Sequence, residues 1–143
     1  MREDNDALLR RAWAAYSRGD ADAFAKCVTE DWLGHAPSGE TTSLDGERKT
    51  MAVHRIAFPD KHTEIHQIVA NGDHAACYCT TTATHTGPYL DLAPTGYRVS
   101  VDEMMFNRIR DGRIAETWSM TSGGGFYRQL TGRDAPEDLD NLG

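Results

Sequence analysis

The apolar residues of this chain change their spacing once, at Pro59, and that single change restricts the folds open to it. Before Pro59 they recur at helical intervals. Leu8, Leu9, Ala12, Trp13 and Tyr16 share one helical face, with Asn5 or Asp6 placed to cap its start and Gly19 to stop it. Asp20 can cap a second helix carrying Ala21, Phe24, Ala25 and Val28. A third is expected over about 47–57 and must end before Pro59, because a residue preceding proline is pushed out of the α region. Trp32, His35 and Pro37 fall in a stretch with neither period. After Pro59 the pattern is β-rich: 61–70 and 75–86 are separated by Asn71-Gly72-Asp73, a hairpin signal, and 97–109 and 114–122 are joined at Asp111-Gly112. Short amphipathic helices cannot bury themselves alone. Helices first and antiparallel strands after therefore read as an α+β domain, with three helices packed on one side of a curved sheet.

At 143 residues the chain is read as one domain over 1–143, core about 5–132, large enough for a packed interior and a small-molecule cavity. A formal net charge of -7, with Lys and Arg scattered, disfavours nucleic-acid phosphate as a partner. The opening MREDNDALLRR lacks an apolar signal-peptide segment, and no run approaches the ~18 apolar residues of a membrane span, so a cytoplasmic location is expected. Cys77 and Cys79 alternate onto one strand face, which suits small buried hydrophobes better than a disulfide. The acidic tail from Asp134, DAPEDLDNLG, is poor in apolar residues and is expected to be loose.

Five segments in order, IAFPD at 56–60, VANGDHAA at 69–76, ATHTGPYLDLAPTGYRV at 83–99, FNRIRDGRIAETW at 106–118 and YRQL at 127–130, make the chain resemble the SnoaL-like polyketide cyclases of the nuclear-transport-factor-2-like superfamily. The resemblance implies a cone-shaped α+β barrel with a cavity between sheet and helices for an aromatic polyketide. It also implies catalysis without metal or organic cofactor. Tyr16, Trp32, Phe58, Phe106 and Trp118 are the aromatic residues that can line such a box, and each can equally be core.

Aldol-type ring closure needs a group that takes a proton beside a carbonyl and returns one to the forming alkoxide. The resemblance places an aspartate for this on the last strand, four residues after the tryptophan and seven before the glutamine of the QL motif. Both counts land on Ser122, so the expected carboxylate is absent. A serine hydroxyl is no base near neutral pH unless another group takes its proton. Either the base has moved, with His85 and His35 as candidates, or the chemistry has changed, to hydroxylation of a polyketide ring with a possible redox partner, or the chain binds a ligand without reaction.

The register of the last hairpin bears on what faces the cavity. A two-residue turn at Asp111-Gly112 places Ser122 on the face of Val101, Glu103 and Met105. A three-residue loop, 110–112, shifts the pairing and puts Asp102, Met104, Phe106 and Arg108 on that face. The resemblance favours Met104, Phe106 and Arg108 as lining, with Arg108 as a cation for an enolate or phenolate oxygen or, equally, a salt-bridged surface arginine. His85 ends a strand whose like-parity neighbours are small, so it is expected to point inward. His54 is expected on a helix surface and His74 in solvent, while His62 and His66 lack a third metal ligand. Apolar residues of both parities, Val101, Met104, Met105 and Phe106, suggest a sheet with two faces to cover and a homodimer.

Overall fold

The computed structural model describes residues 4–133; the expectation of a loose tail lies outside them. Helix α1 spans Asn5–Ser17, one residue earlier than the sequence pattern suggests, because Asp4 accepts from the Ala7 N–H and so caps it. Helix α2, Ala21–Ala25, is capped by Asp20 and is shorter than expected, since Val28 already begins a strand. Helix α3 covers Leu44–Ala57; Ser43 caps it and Phe58 leaves the α region ahead of Pro59.

The stretch without a period holds two strands, β1 (Val28–His35) and β2 (Thr41–Ser43). Beyond Pro59 follow β3 (His62–Asn71), β4 (His74–Thr84), β5 (Arg98–Arg110) and β6 (Arg113–Thr121), then a 3-10 turn over Ser122–Gly124 and helix α4 (Gly125–Thr131) that contains the YRQL segment. The six strands form one sheet in the order β2-β1-β6-β5-β4-β3. Every pairing is antiparallel except β1 with β6, and the sheet does not close. Strand β1 escaped the sequence pattern because its partner β6 lies some eighty residues away; non-local pairing, not local propensity, makes it a strand.

Helices α1, α2 and α3 pack on one face of this sheet. Their apolar stripes close over Cys77, Cys79, Met105 and Ile114 to form the larger core, in which all three cysteines, including Cys27, are buried and in no disulfide. A second core lies at the far end, where Phe58, Tyr89, Val99, Val101, Phe126 and Tyr127 meet. The ATHTG segment belongs to the second, where Ala83 is buried and His85 packs on Phe58 and Tyr89. His85 accepts the Thr95 N–H at Nδ1, and its own backbone N–H reaches the Tyr97 carbonyl, so the loop from 86 to 96 is drawn back on itself. Thr86 and Gly87 both donate to the Ala57 carbonyl at the end of α3.

Candidate functional site

Strand parity decides which side chains the helices cover. On β5 the odd residues Val99, Val101, Glu103, Met105, Asn107 and Ile109 are buried, whereas Met104 and Phe106 are exposed. Between the covered face and the helices lies a cavity lined by Trp13, Tyr16, Phe24 and Trp32, by Glu47 from α3, and by Thr63, Cys79, Thr81, Glu103, Met105, Thr117 and Ser119 from the sheet. Its free space is about 20 Å³, room for roughly one water. The aromatic residues fill the rest: Trp13, Tyr16 and Phe24 touch pairwise at ring separations of 5.6–5.7 Å, and Trp32 meets Phe24 edge-on at 5.8 Å. The Trp32 indole donates to Thr117 Oγ1, whose hydroxyl donates to Asn107. The Trp13 indole N–H, buried in the wall, has no acceptor among the described residues.

Two carboxylates line this apolar space, and a lysine lies against the Tyr16 ring of its wall. Glu47 is fully buried and Glu103 is 9 % exposed. Burial pushes the Glu103 carboxyl above the usual carboxylate range, while Lys61 and a hydrogen bond from Thr81 pull the other way. The Lys61 ammonium donates to His54 Nδ1 at 3.2 Å and lies 4.2 Å from the centre of the Tyr16 ring. Burial brings Lys61 down to about 8, opposed by the fields of Glu103 and Glu47. His54 is held neutral, well below its ordinary value, by burial first and by Lys61 second. It is therefore not on the helix surface as expected: the Phe58, Tyr89 and Phe126 rings pack around it. A groove between the end of α1 and α3, lined by Ser17, Arg18, Arg55 and Pro59 among others, reaches Lys61 from outside.

Of the expected lining, Tyr16 and Trp32 do face the cavity. Phe58 instead fills the second core against Phe126 and Tyr89. Met104, Phe106, Arg108 and Trp118 stand on the opposite face of the sheet, which corrects their expected place. The hairpin explains this. Asp111 and Gly112 form a two-residue turn, both with positive φ (53° and 75°), yet Ala115 bulges out of the pairing and shifts it by one. Ser122 thus falls beside Asp102, whose N–H donates to its Oγ at 3.1 Å, on the side of Met104 and Phe106. The shift expected of a longer loop is present; the face it defines is the outer one.

That outer face gathers His35, Arg108 and Trp118. Glu116 accepts from Arg108 and lies 2.6 Å from His35 Nε2, and its hydrogen bonds to His35 first and to Arg108 hold its carboxyl below the usual range. His35 stacks on Trp118, and Phe106 meets Trp118 edge-on. His85 lies elsewhere, wholly buried between Phe58 and Tyr89, with burial lowering its pKa. So none of His85, His35, Ser122 and Arg108 lines the cavity, and Glu47 and Glu103, which do, were missed together with the adjoining Lys61 and His54. A signal for two of them was present. Glu103 shares parity with Val99, Val101 and Met105, and Glu47 lies on the helical stripe of Thr50, Met51 and His54.

An α+β fold whose helices enclose an aromatic cavity against an open sheet is that of a small-molecule enzyme or binding protein. The chain belongs to the SnoaL-like polyketide cyclase family, whose model matches residues 7–130. Among solved structures it is similar to AclR of Streptomyces galilaeus, a proposed hydroxylase, with 30% identity over 94% of this chain and 85% of that one and a TM-score of 0.79. IdmH of Streptomyces antibioticus, a proposed polyketide cyclase, is 23% identical over 90% and 99% of the two chains, TM-score 0.78. TsrD of Streptomyces laurentii is 25% identical over 92% and 100%, TM-score 0.77. No curated protein sequence matches the chain significantly. Among the described residues no helix is long and apolar enough to cross a membrane.

Proposed function

We propose that the chain is a tailoring enzyme of aromatic polyketide biosynthesis that holds a ring-bearing substrate between α1–α3 and the sheet and acts on it by acid–base chemistry. One observation carries the reading: four aromatic rings and two buried carboxylates share a single cavity, so a planar apolar body and a proton-accepting group meet at one place. The unpartnered Trp13 indole N–H is a ready donor for a substrate carbonyl. With about 20 Å³ free, a ring system enters only when the aromatic side chains turn or α1 and α2 move away from the sheet.

Intramolecular ring closure is the leading reaction, in keeping with the family. Hydroxylation, with a redox partner to supply electrons, is the second reading, favoured by the 30% identity to AclR. We read Ser122 as occupying the place of the family's aspartate. The test is incubation with anthraquinone-type polyketides carrying an uncyclised β-keto side chain, followed by mass spectrometry. Ring closure removes water or leaves the mass unchanged; hydroxylation adds one oxygen. Tight binding with neither product identifies a binding protein and defeats the enzymatic reading.

A further inference from the structure

We propose that Glu103 is the general base of this cavity and that Lys61, packed against Tyr16 and His54, is the positioning charge that acts through it. The inference rests on the polyketide-enzyme reading above and supplies the carboxylate that Ser122 lacks.

A carboxylate costs free energy in an apolar cavity unless it is paired. Glu103 nonetheless sits mid-strand on β5 among Val101, Met105 and Cys79, on a strand paired on both sides, and lines the cavity. Thr81 hydrogen-bonds its carboxylate, and Thr81 Oγ1 in turn lies 2.8 Å from Thr63 Oγ1, so the side chain is oriented by neighbours that line the same space. Lys61 enters from the segment ahead of β3. The neutral His54 imidazole accepts from it and the Tyr16 ring lies beneath it, so its charge has one place to be. The titratable groups facing Glu103 are Lys61, Glu47 from α3, His54 behind Lys61 and the thiol of Cys79 on β4. Lys61 alone among them is a cation, which favours the ionised carboxylate against the burial that opposes it.

In ring closure the Glu103 carboxylate takes the proton from the carbon beside a substrate carbonyl. The resulting enolate carbon bonds to a second carbonyl carbon, whose π electrons become an alkoxide. The alkoxide recovers the proton from the Glu103 carboxylic acid, and the residue ends as it began. Glu103 sits closer to the middle of the sheet than Ser122, so the substrate carbon would lie among the Trp13, Tyr16 and Trp32 rings.

The experiment has a ligand-free arm and a reaction arm. In the first, the Lys61 side chain is titrated by NMR. It is expected to titrate near 8, and lower still in Glu103→Gln, where the balancing carboxylate is gone. Titration in the ordinary lysine range, indifferent to residue 103, overturns the pairing. In the second arm, hydrogen–deuterium exchange beside the carbonyl of 2-tetralone is followed in D₂O. The native protein is expected to accelerate exchange and Glu103→Gln to lose 10²-fold or more. Lys61→Met should move the acid limb of the pH profile to higher pH by a unit or more, Lys61→Arg should restore it, and His35→Ala should change nothing. If Glu103→Gln keeps the exchange rate while Glu47→Gln abolishes it, the base is on α3 and the proposal fails. Tryptophan quenching by 2-tetralone without accelerated exchange overturns the proposal and leaves the polyketide-binding reading intact. An absence of quenching by 2-tetralone and by anthraquinones alike removes both.

Discussion

His35 and Trp118 stack with ring centroids 4.9 Å apart and planes 2° from parallel, on the face of the sheet turned away from the cavity. Around them Met104, Phe106 and Met120 expose 61%, 48% and 66% of their surface, an apolar strip larger than scattered surface residues explain. A self-complementary contact between two such faces is the expected cover. The native chain should sediment as a dimer at micromolar concentration, and Met104→Glu combined with Met120→Glu should give a folded monomer. A monomeric native chain refutes the contact.

Glu103→Gln tests the electrostatic state of the cavity through stability. A carboxyl whose pKa is raised on folding contributes most below its unfolded value, near 4.5, and that contribution is lost as pH rises through the folded value. Above the folded value the raised carboxyl is therefore a net cost. Glu103→Gln is expected to raise Tm at pH 7.5 and to leave it nearly unchanged at pH 4. Equal shifts at both pH values would show that the cavity does not perturb this carboxyl.

His85→Ala should lower stability by about 2–4 kcal/mol, because it leaves a void between Phe58 and Tyr89 and frees Thr95 from its anchor. Denaturant unfolding measures this. A variant of unchanged stability but lost turnover would instead assign His85 to the chemistry.

Gly87 lies against the end of α3, where an added Cβ would come within 2.0 Å of the Ile56 carbonyl oxygen. Backbone cannot yield as a side chain end can, so Gly87→Ala is expected to cost about 2 kcal/mol or more. Local hydrogen-exchange protection of Thr86 and Gly87, which share the Ala57 carbonyl, should fall first.

Because the cavity is nearly filled by its own side chains, binding of a planar ligand should be gated by motion. Stopped-flow quenching of Trp13 and Trp32 by an anthraquinone is expected to show association well below ~10⁵ M⁻¹s⁻¹, with saturation of the observed rate at high ligand. A rate that rises linearly towards the diffusion limit would mean the cavity is already open.

The change of period at Pro59, the cap at Asp20 and the Asp111-Gly112 turn are local features, and each carried its element at nearly the right place, whereas the Ser43 cap that starts α3 at Leu44 was not read. Strands β1 and β2 and helix α4 were less legible. Trp32 and Gly34 alternate inward against Leu33 and His35, but only pairing with β6 and β2 stabilises that alternation. The site suffered most. Glu103 and Glu47 are residue types that normally mark solvated surface, and their burial arises only where the helices and the sheet converge.

By itself the sequence determined α1 to α3, the strands after Pro59, the hairpin turns, the family and the lack of a carboxylate at position 122, because these depend on residues near one another or on their linear spacing. The tertiary structure decided which face of the sheet is the inside. Strand parity divides Glu103 from Met104 and Phe106, but it does not say which set is covered. The docking of α1–α3 and the one-residue bulge at Ala115 settle that, placing Glu103 in the cavity and Ser122 with His35 and Arg108 on the side facing away.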